Sequence, residues 1–254
     1  MDFTLLSWQC AVVCAAYFVA GMIDAVCGGG GLITVPVLMA LGAPVHYITG
    51  TNQCSVVVGA ATSLYKYKRS NSMYLKYGII AAILAIFGGI LGAKLNMYVP
   101  ERYLEIIMIV LMPLMALLLF LKKDFGEADR SDTLSARKIL LLSCLIGLFG
   151  GAYQGFYGPG SGTVFMIAFA LFMKFDLVKA SGTSKIPLLF AAVGSSVTYA
   201  LSGLVLWRIA IVAMVFYILG SYLGASLAVK NGTKIIRPFL FFVIGLLLLT
   251  LLVK

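Results

Sequence analysis

Charge is scarce in this chain, and so are histidine and cysteine. Charged residues make up 11% of 254, and 62% are hydrophobic, where soluble domains carry about 25% charged and 45–50% apolar residues. A soluble core cannot absorb that much apolar surface. His46 is the only histidine, set in a Gly-Ala-Pro-Val-His turn with no evident carboxylate partner, and neither HExxH nor GxSxG occurs. Catalysis is therefore poorly supported, and no metal cluster or cofactor is implied. Cys10, Cys14, Cys27, Cys54 and Cys144 are odd in number and form no CxxC, so neither a disulfide framework nor a zinc site is suggested. They read as ordinary apolar residues, with Cys27 and Cys54 set apart only by flanking the unusual segments below. The start of the chain lacks the basic region and small-residue cleavage site of a signal peptide, so Leu5–Val26 is expected to be a retained span.

Long apolar runs are present instead. Leu5–Val26, Tyr77–Leu95, Tyr103–Leu121, Ile139–Phe156, Ala180–Leu201, Ile209–Val229 and Ile235–Val253 approach or exceed the roughly 20 residues that cross a bilayer as a helix, and mean hydropathy is +1.05. Thr51–Tyr67 is slightly short. Leu32–Ala43 and Thr163–Met173 are too short to cross comfortably. The fold class expected is all-α, a polytopic membrane protein with short broken or re-entrant helices.

The chain also repeats itself. Ala25-VCGGGGLITVP, Gly50-TNQ, Gly88-GILGAKL and Val99-PERYLEII return as Gly155-FYGPGSGTVFM, Gly182-TSK, Gly220-SYLGASL and Asn231-GTKIIRPF. Gly50 and Gly182, Gly88 and Gly220, Gly92 and Gly224, and Arg102 and Lys234 are each 132 residues apart, and only the glycine-rich stretches need a gap of one or two. Two membrane repeats follow, 1–121 and 139–254, joined by a polar link 122–138. Duplicated, interrupted hydrophobic segments point to a transporter's binding site.

The net charge of +10 does not read as a nucleic-acid footprint, because the basic residues lie in links between spans. Excess Lys and Arg in short loops marks the cytoplasmic side, which places Lys66–Lys76, Lys122–Lys138 and Lys230–Arg237 inside. Equivalent loops of the two halves then face opposite sides. The repeats are expected to be inverted, with an odd number of crossings each.

Glycine in these runs has two meanings. Gly88, Gly89, Gly92, Gly220 and Gly224 lie at GGxxG or GxxxG spacing on continuous apolar helices, the pattern of close helix packing. Four consecutive glycines, Gly28–Gly31, each cost a helix about 1 kcal/mol relative to alanine. Gly158-PGSG adds Pro159, which lacks an amide donor. Unwound backbone at membrane depth survives only where protein or water satisfies it, so these breaks mark a site. A helix beginning after a break presents amides at its positive end, which attracts anions. The expected donors are Gly30–Ile33 with Thr51, Asn52 and Gln53, and Gly160–Thr163 with Thr183, Ser184 and Lys185, as four helix starts converging on one centre.

Lys185 stands where the first half has the neutral Gln53. A charge there costs about 2.5–3.5 kcal/mol on insertion scales, and it either ligates an anion or snorkels to the interface. Lys94 ends its span and reads as snorkelling. Asp24, opposite Gln154 or a neighbour, either carries a proton in coupled transport or caps the amides of the broken segment. A cation carrier would need more carboxylates than Asp24 and Asp176.

These segments resemble the sulfite exporter TauE/SafE family of membrane permeases, through Gly21-MIDAVCGGGGLITVPVLMALG with Gly50-TNQCSVVVGAATSLYKY, and Gly151-AYQGFYGPGSG with Ala180-SGTSKIPLLF. The resemblance covers essentially the whole chain. It implies a multi-pass protein of the bacterial inner membrane that moves sulfite, sulfonates or related organosulfur anions, often outward. By motif position it assigns Gly28, Gly29, Gly30, Gly31, Thr51, Asn52, Gln53, Gly158, Gly160, Gly162, Thr183, Ser184 and Lys185 to the substrate region. Where the family often has Thr-Ser, this chain has Thr51-Asn52-Gln53. The partners expected are a small anion and the lipid bilayer, with no nucleic acid and homo-oligomerisation left open. The alternative is a membrane-embedded enzyme or channel acting on small anions.

Overall fold

A computed structural model of the chain describes residues 7–100, 102–103, 129–239 and 241–242. The span expected over Tyr103–Leu121, most of that over Ile235–Val253 and the first part of the link 122–138 lie outside the described residues. Within them the chain is helical, with no strand. The helices are α1 (Ser7–Cys27), α2 (Gly31–Ala40), α3 (Val45–Arg69), α4 (Leu75–Tyr98), α5 (Ala136–Phe156), α6 (Ser161–Phe172), α7 (Leu177–Leu201) and α8 (Trp207–Asn231). A single 3-10 turn at Ser131–Thr133 precedes α5.

Among the described residues, α1, α4, α5, α7 and α8 are long and apolar enough to cross a membrane. Helix α3 has 25 residues, but carries a polar stretch through Thr49–Gln53 and a basic end at Lys66, Lys68 and Arg69. The short helices α2 and α6 have 10 and 12 residues, about half a bilayer at 1.5 Å per residue. Outer faces are apolar, as lipid requires. Ile79, Ile83, Phe87, Leu91 and Leu95, each four residues after the last, are all exposed along α4.

The packing follows the repeat. Helix α4 lies against α5 and α7, helix α8 lies against α1 and α3, and α3 crosses α7 between them. The small residues make these approaches close. A Cβ on Gly88 of α4 would come within 2.7 Å of the Ala152 amide on α5, and one on Gly224 of α8 within 2.9 Å of Met22 Cα on α1. A methyl would push the backbones apart.

The basic loops share one end of the bundle. Tyr74 OH donates to Asp129 Oδ2 at 2.5 Å and Lys179 Nζ to the same oxygen at 2.8 Å. Ser131 Oγ donates to Asp129 Oδ1 at 2.7 Å, and the Arg130 amide to the Lys174 carbonyl at 2.9 Å. The link is thus fastened to the starts of α4 and α7. Partial burial works against the Asp129 carboxylate, but hydrogen bonds from Lys179, Tyr74 and Ser131 outweigh it and hold its pKa well below the ordinary range.

Candidate functional site

Helices α1 and α5 both end at a glycine break, and the reason is backbone conformation. Gly28 and Gly29 adopt φ of +79° and +100°, and Gly158 and Gly160 adopt +88° and +78°, a region that residues with a Cβ enter only at a cost of about 1–2 kcal/mol. The two breaks touch. A Cβ on Gly162 would lie 2.8 Å from Gly28 Cα, and one on Gly31 would lie 2.8 Å from Pro159 Cα. Thr163 Oγ1 donates to the Cys27 carbonyl at 2.9 Å, so the backbone of the first break is partly satisfied by the second. Local turns engage more of it: the Leu32 and Ile33 amides bond to the Gly29 and Gly30 carbonyls, and the Ser161 amide to that of Gly158.

Around the breaks the two halves make matching bonds, still 132 residues apart. Thr51 Oγ1 accepts from the Leu206 amide at 3.0 Å, and Thr183 Oγ1 from the Tyr74 amide at 2.9 Å. Each threonine therefore caps the start of a span in the other half, α8 and α4 respectively. Tyr67 OH donates to the Ala25 carbonyl at 3.1 Å and Tyr199 OH to the Gly155 carbonyl at 3.0 Å. Gly50 and Gly182 leave room for the Leu204 and Ser72 carbonyls to pass against them.

One expectation is corrected by these elements. Thr51–Gln53 and Thr183–Lys185 do not start helices. Helix α3 begins at Val45, after Pro44, and α7 at Leu177, after Asp176, whose carboxylate accepts from the Val178 and Lys179 amides at 3.0 Å. The Gly-Thr pairs lie about two turns further in, so their backbone amides are helical and only their side chains are offered to the site. Two helix starts meet at the centre, not four, and Asp176 is a cap.

The side chains that reach the breaks are unlike in the two halves. On α3, Gln53 Nε2 donates to the Gln154 carbonyl at 2.7 Å, and Gln154 Nε2 returns a bond to Gln53 Oε1 at 2.7 Å. Ser161 Oγ also donates to Gln154 Oε1. At the equivalent place on α7, Lys185 Nζ donates to the Asp24 carbonyl. Lys185 has no exposed surface and Asp24 is 5% exposed, so Lys185 does not snorkel. The Asp24 carboxylate accepts from the Gly30 amide at 3.4 Å and faces Gly162, at 3.4 Å from the Cβ that position would carry. Asn52 Oδ1 accepts from Thr34 Oγ1 at 2.6 Å, while Ser184 Oγ turns back to the Ser181 carbonyl at 2.7 Å.

Several residues around the site carried no signal in the sequence. Ser181 Oγ donates to the Val26 carbonyl at 2.8 Å. The hydroxyls of Tyr17, Tyr217 and Tyr157, and Ser55 Oγ, are buried without a partner among the described residues. Tyr217 OH would lie 2.6 Å from a Cβ on Gly30, and the tyrosine faces Asp24. Tyr17 meets Tyr217 edge-on, with ring centroids 6.1 Å apart. The constant offset exposes Tyr67 and Tyr199 as a pair, but Tyr17 and Tyr217 have Gly147 and Ala85 as counterparts and stay hidden among other aromatics. A cavity of about 400 Å³ between α5 and α6, lined by Leu142, Phe149, Phe165 and Phe172, is apolar and lies apart from this centre.

Comparison with known proteins places the chain in a family. The family described as Sulfite exporter TauE/SafE matches residues 13–251. The chain belongs to the TauE/SafE family. It is 32% identical over 230 residues to a Sinorhizobium protein named Probable membrane transporter protein ORF9, covering 91% of this chain and 87% of that one. A Haemophilus influenzae protein named Probable membrane transporter protein is 32% identical over 228 residues, covering 90% and 88%. Escherichia coli Probable membrane transporter protein YfcA is 30% identical over 221 residues, covering 87% and 81%. No solved structure matches. With its apolar helices, this TauE/SafE member is a multi-pass membrane protein.

Proposed function

We propose that this TauE/SafE protein is a carrier in the bacterial inner membrane for small sulfur-containing anions such as sulfite or organosulfonates, with export as the direction the family's description favours. The observation that carries this reading is Lys185, a fully buried cation held on backbone where two broken helices meet. Its ammonium bonds the Asp24 backbone carbonyl and makes no direct ion pair with the nearby carboxylate; a buried cation left so is expensive, and a small oxyanion supplies a direct partner. The surrounding groups are donors: Gln53, Gln154, Ser161, Thr163 and Tyr217. The helix starts at Gly30–Gly31 and Gly160–Ser161 add positive dipole ends. Thr51 and Thr183 support the site through the helices they fasten, while the Ser184 hydroxyl is held within its own helix.

The exchange of helix partners between halves suits a pseudo-twofold axis in the membrane plane. We infer inverted repeats that rock about the breaks in alternating access, with the basic-loop end in the cytoplasm. The test uses purified protein in liposomes with labelled sulfite, a sulfonate and thiosulfate. A carrier gives counterflow, in which unlabelled anion on one side drives uptake of label, without chemical conversion. Conversion would mark an enzyme, and flux without counterflow a channel. Absence of binding, flux and counterflow for every anion overturns the reading.

A further inference from the structure

The charged and neutral pairs at equivalent positions carry an inference that rests on the carrier reading. Asp24 on α1 and Lys185 on α7 occupy at one break the places that Gln154 on α5 and Gln53 on α3 occupy at the other, and both pairs use the same side-chain-to-carbonyl bond between halves. Backbone architecture therefore does not require the charges, because two amides complete the same contact. Their sum matters instead. An ionised Asp24 with an ionised Lys185 is neutral in a site where neither is appreciably exposed. A singly charged anion on Lys185 leaves one net negative charge in a low-dielectric interior, beside a carboxylate already there, which is unfavourable. One proton on Asp24 restores neutrality.

We propose that Asp24 is the coupling residue: it takes up one proton as Lys185 binds one monovalent anion, so the two are carried together and the cycle moves no net charge. The proton comes from water on the side from which the anion enters and is released with the anion on the other. Net movement follows the combined anion and proton gradients, outward where the anion accumulates inside. The ionisable groups facing Asp24 are Lys185 from α7, Tyr217 from α8 and Cys27 from its own helix. Tyr67 of α3 reaches the neighbouring Ala25 carbonyl; the neighbouring α6 residues are Gly162 and Thr163, which do not titrate. Tyr217, its hydroxyl without a partner, stands on the carboxylate side of Asp24 as the nearest further donor. The Gln53–Gln154 pair offers neither charge nor proton site, which fixes the stoichiometry at one.

The probe is methanesulfonate, singly charged at every working pH, so the substrate does not itself titrate. Liposomes with wild-type protein and an imposed pH gradient should accumulate it about tenfold per pH unit on the alkaline side, the one-proton limit. A potassium-diffusion potential at equal pH should produce no accumulation. Asp24→Asn should lose accumulation by the pH gradient, and whatever transport it retains should respond to voltage. Counterflow with pH-independent accumulation in wild type, or an unaltered pH response in Asp24→Asn, overturns the coupling. Loss of both counterflow and binding in wild type overturns the carrier reading instead.

Discussion

The two helix breaks are alike in backbone and unlike in charge. Each ends a helix at glycines of positive φ, each is crossed by a threonine-bearing helix, and each receives a tyrosine on the backbone just before it. Yet one is completed by Lys185 and Asp24, the other by Gln53 and Gln154. Shared backbone supplies a mechanical frame that is nearly symmetric. In the proposed carrier, the unshared charge carries recognition and coupling.

The difference breaks most completely at Lys185. Replacement by methionine should lower affinity for the transported anion at least about 100-fold, the scale of removing one partner of a buried charged contact, while arginine should retain part of it; titration of detergent-purified protein checks both. Next come the glycines of the breaks. Gly28→Ala forces a Cβ towards the Gly162 backbone at positive φ and should abolish flux. Gly203→Ala, with similar φ of +71° and nothing within 4 Å, should cost only about 1–2 kcal/mol of stability and leave flux intact. Equal behaviour of the two would remove the breaks from function.

Symmetric elements should respond symmetrically. Thr51→Val removes the acceptor of a buried amide and Thr183→Val that of a part-buried one, and each should cost about 1–3 kcal/mol, equal within about 1 kcal/mol, by thermal unfolding. The smallest effect belongs to the link. Asp129 has a folded-state pKa below its unfolded one, so its contribution is present above the ordinary carboxylate range and fades as pH falls through it. Asp129→Asn should lower the unfolding temperature by about 1–4 °C near neutrality, and the gap to wild type should close in acid.

Much of this frame was legible in the sequence because glycine and proline are local signals. Gly28–Gly31 and Gly158–Gly160 marked the breaks, and the 132-residue offset paired Gly50 with Gly182 before any contact was known. Helix starts were less legible. Pro44 and Asp176 begin α3 and α7 as good N-terminal residues do, but the Gly-Thr pairs downstream resemble interruptions and drew the boundary about two turns too far along. The pairing of Asp24 with Lys185 joins positions 161 residues apart. No periodicity encodes it. Sequence alone set Gln53 against Lys185 and Asp24 against Gln154 as separate inequalities, and only the bonds of Lys185 to Asp24 and of Gln53 to Gln154 join them into one charged and one neutral pair. Tyr17 and Tyr217 have no tyrosine at the equivalent positions, so the repeat does not single them out.

Matched substitutions at the equivalent positions test the central claim most directly. Methanesulfonate affinity would be measured by titration for Lys185→Met and Gln53→Met, alongside thermal unfolding as the control for folding. The account expects both variants to lose stability, Gln53→Met to bind within about tenfold of wild type and Lys185→Met to show no binding. Comparable losses of affinity in the two would contradict it.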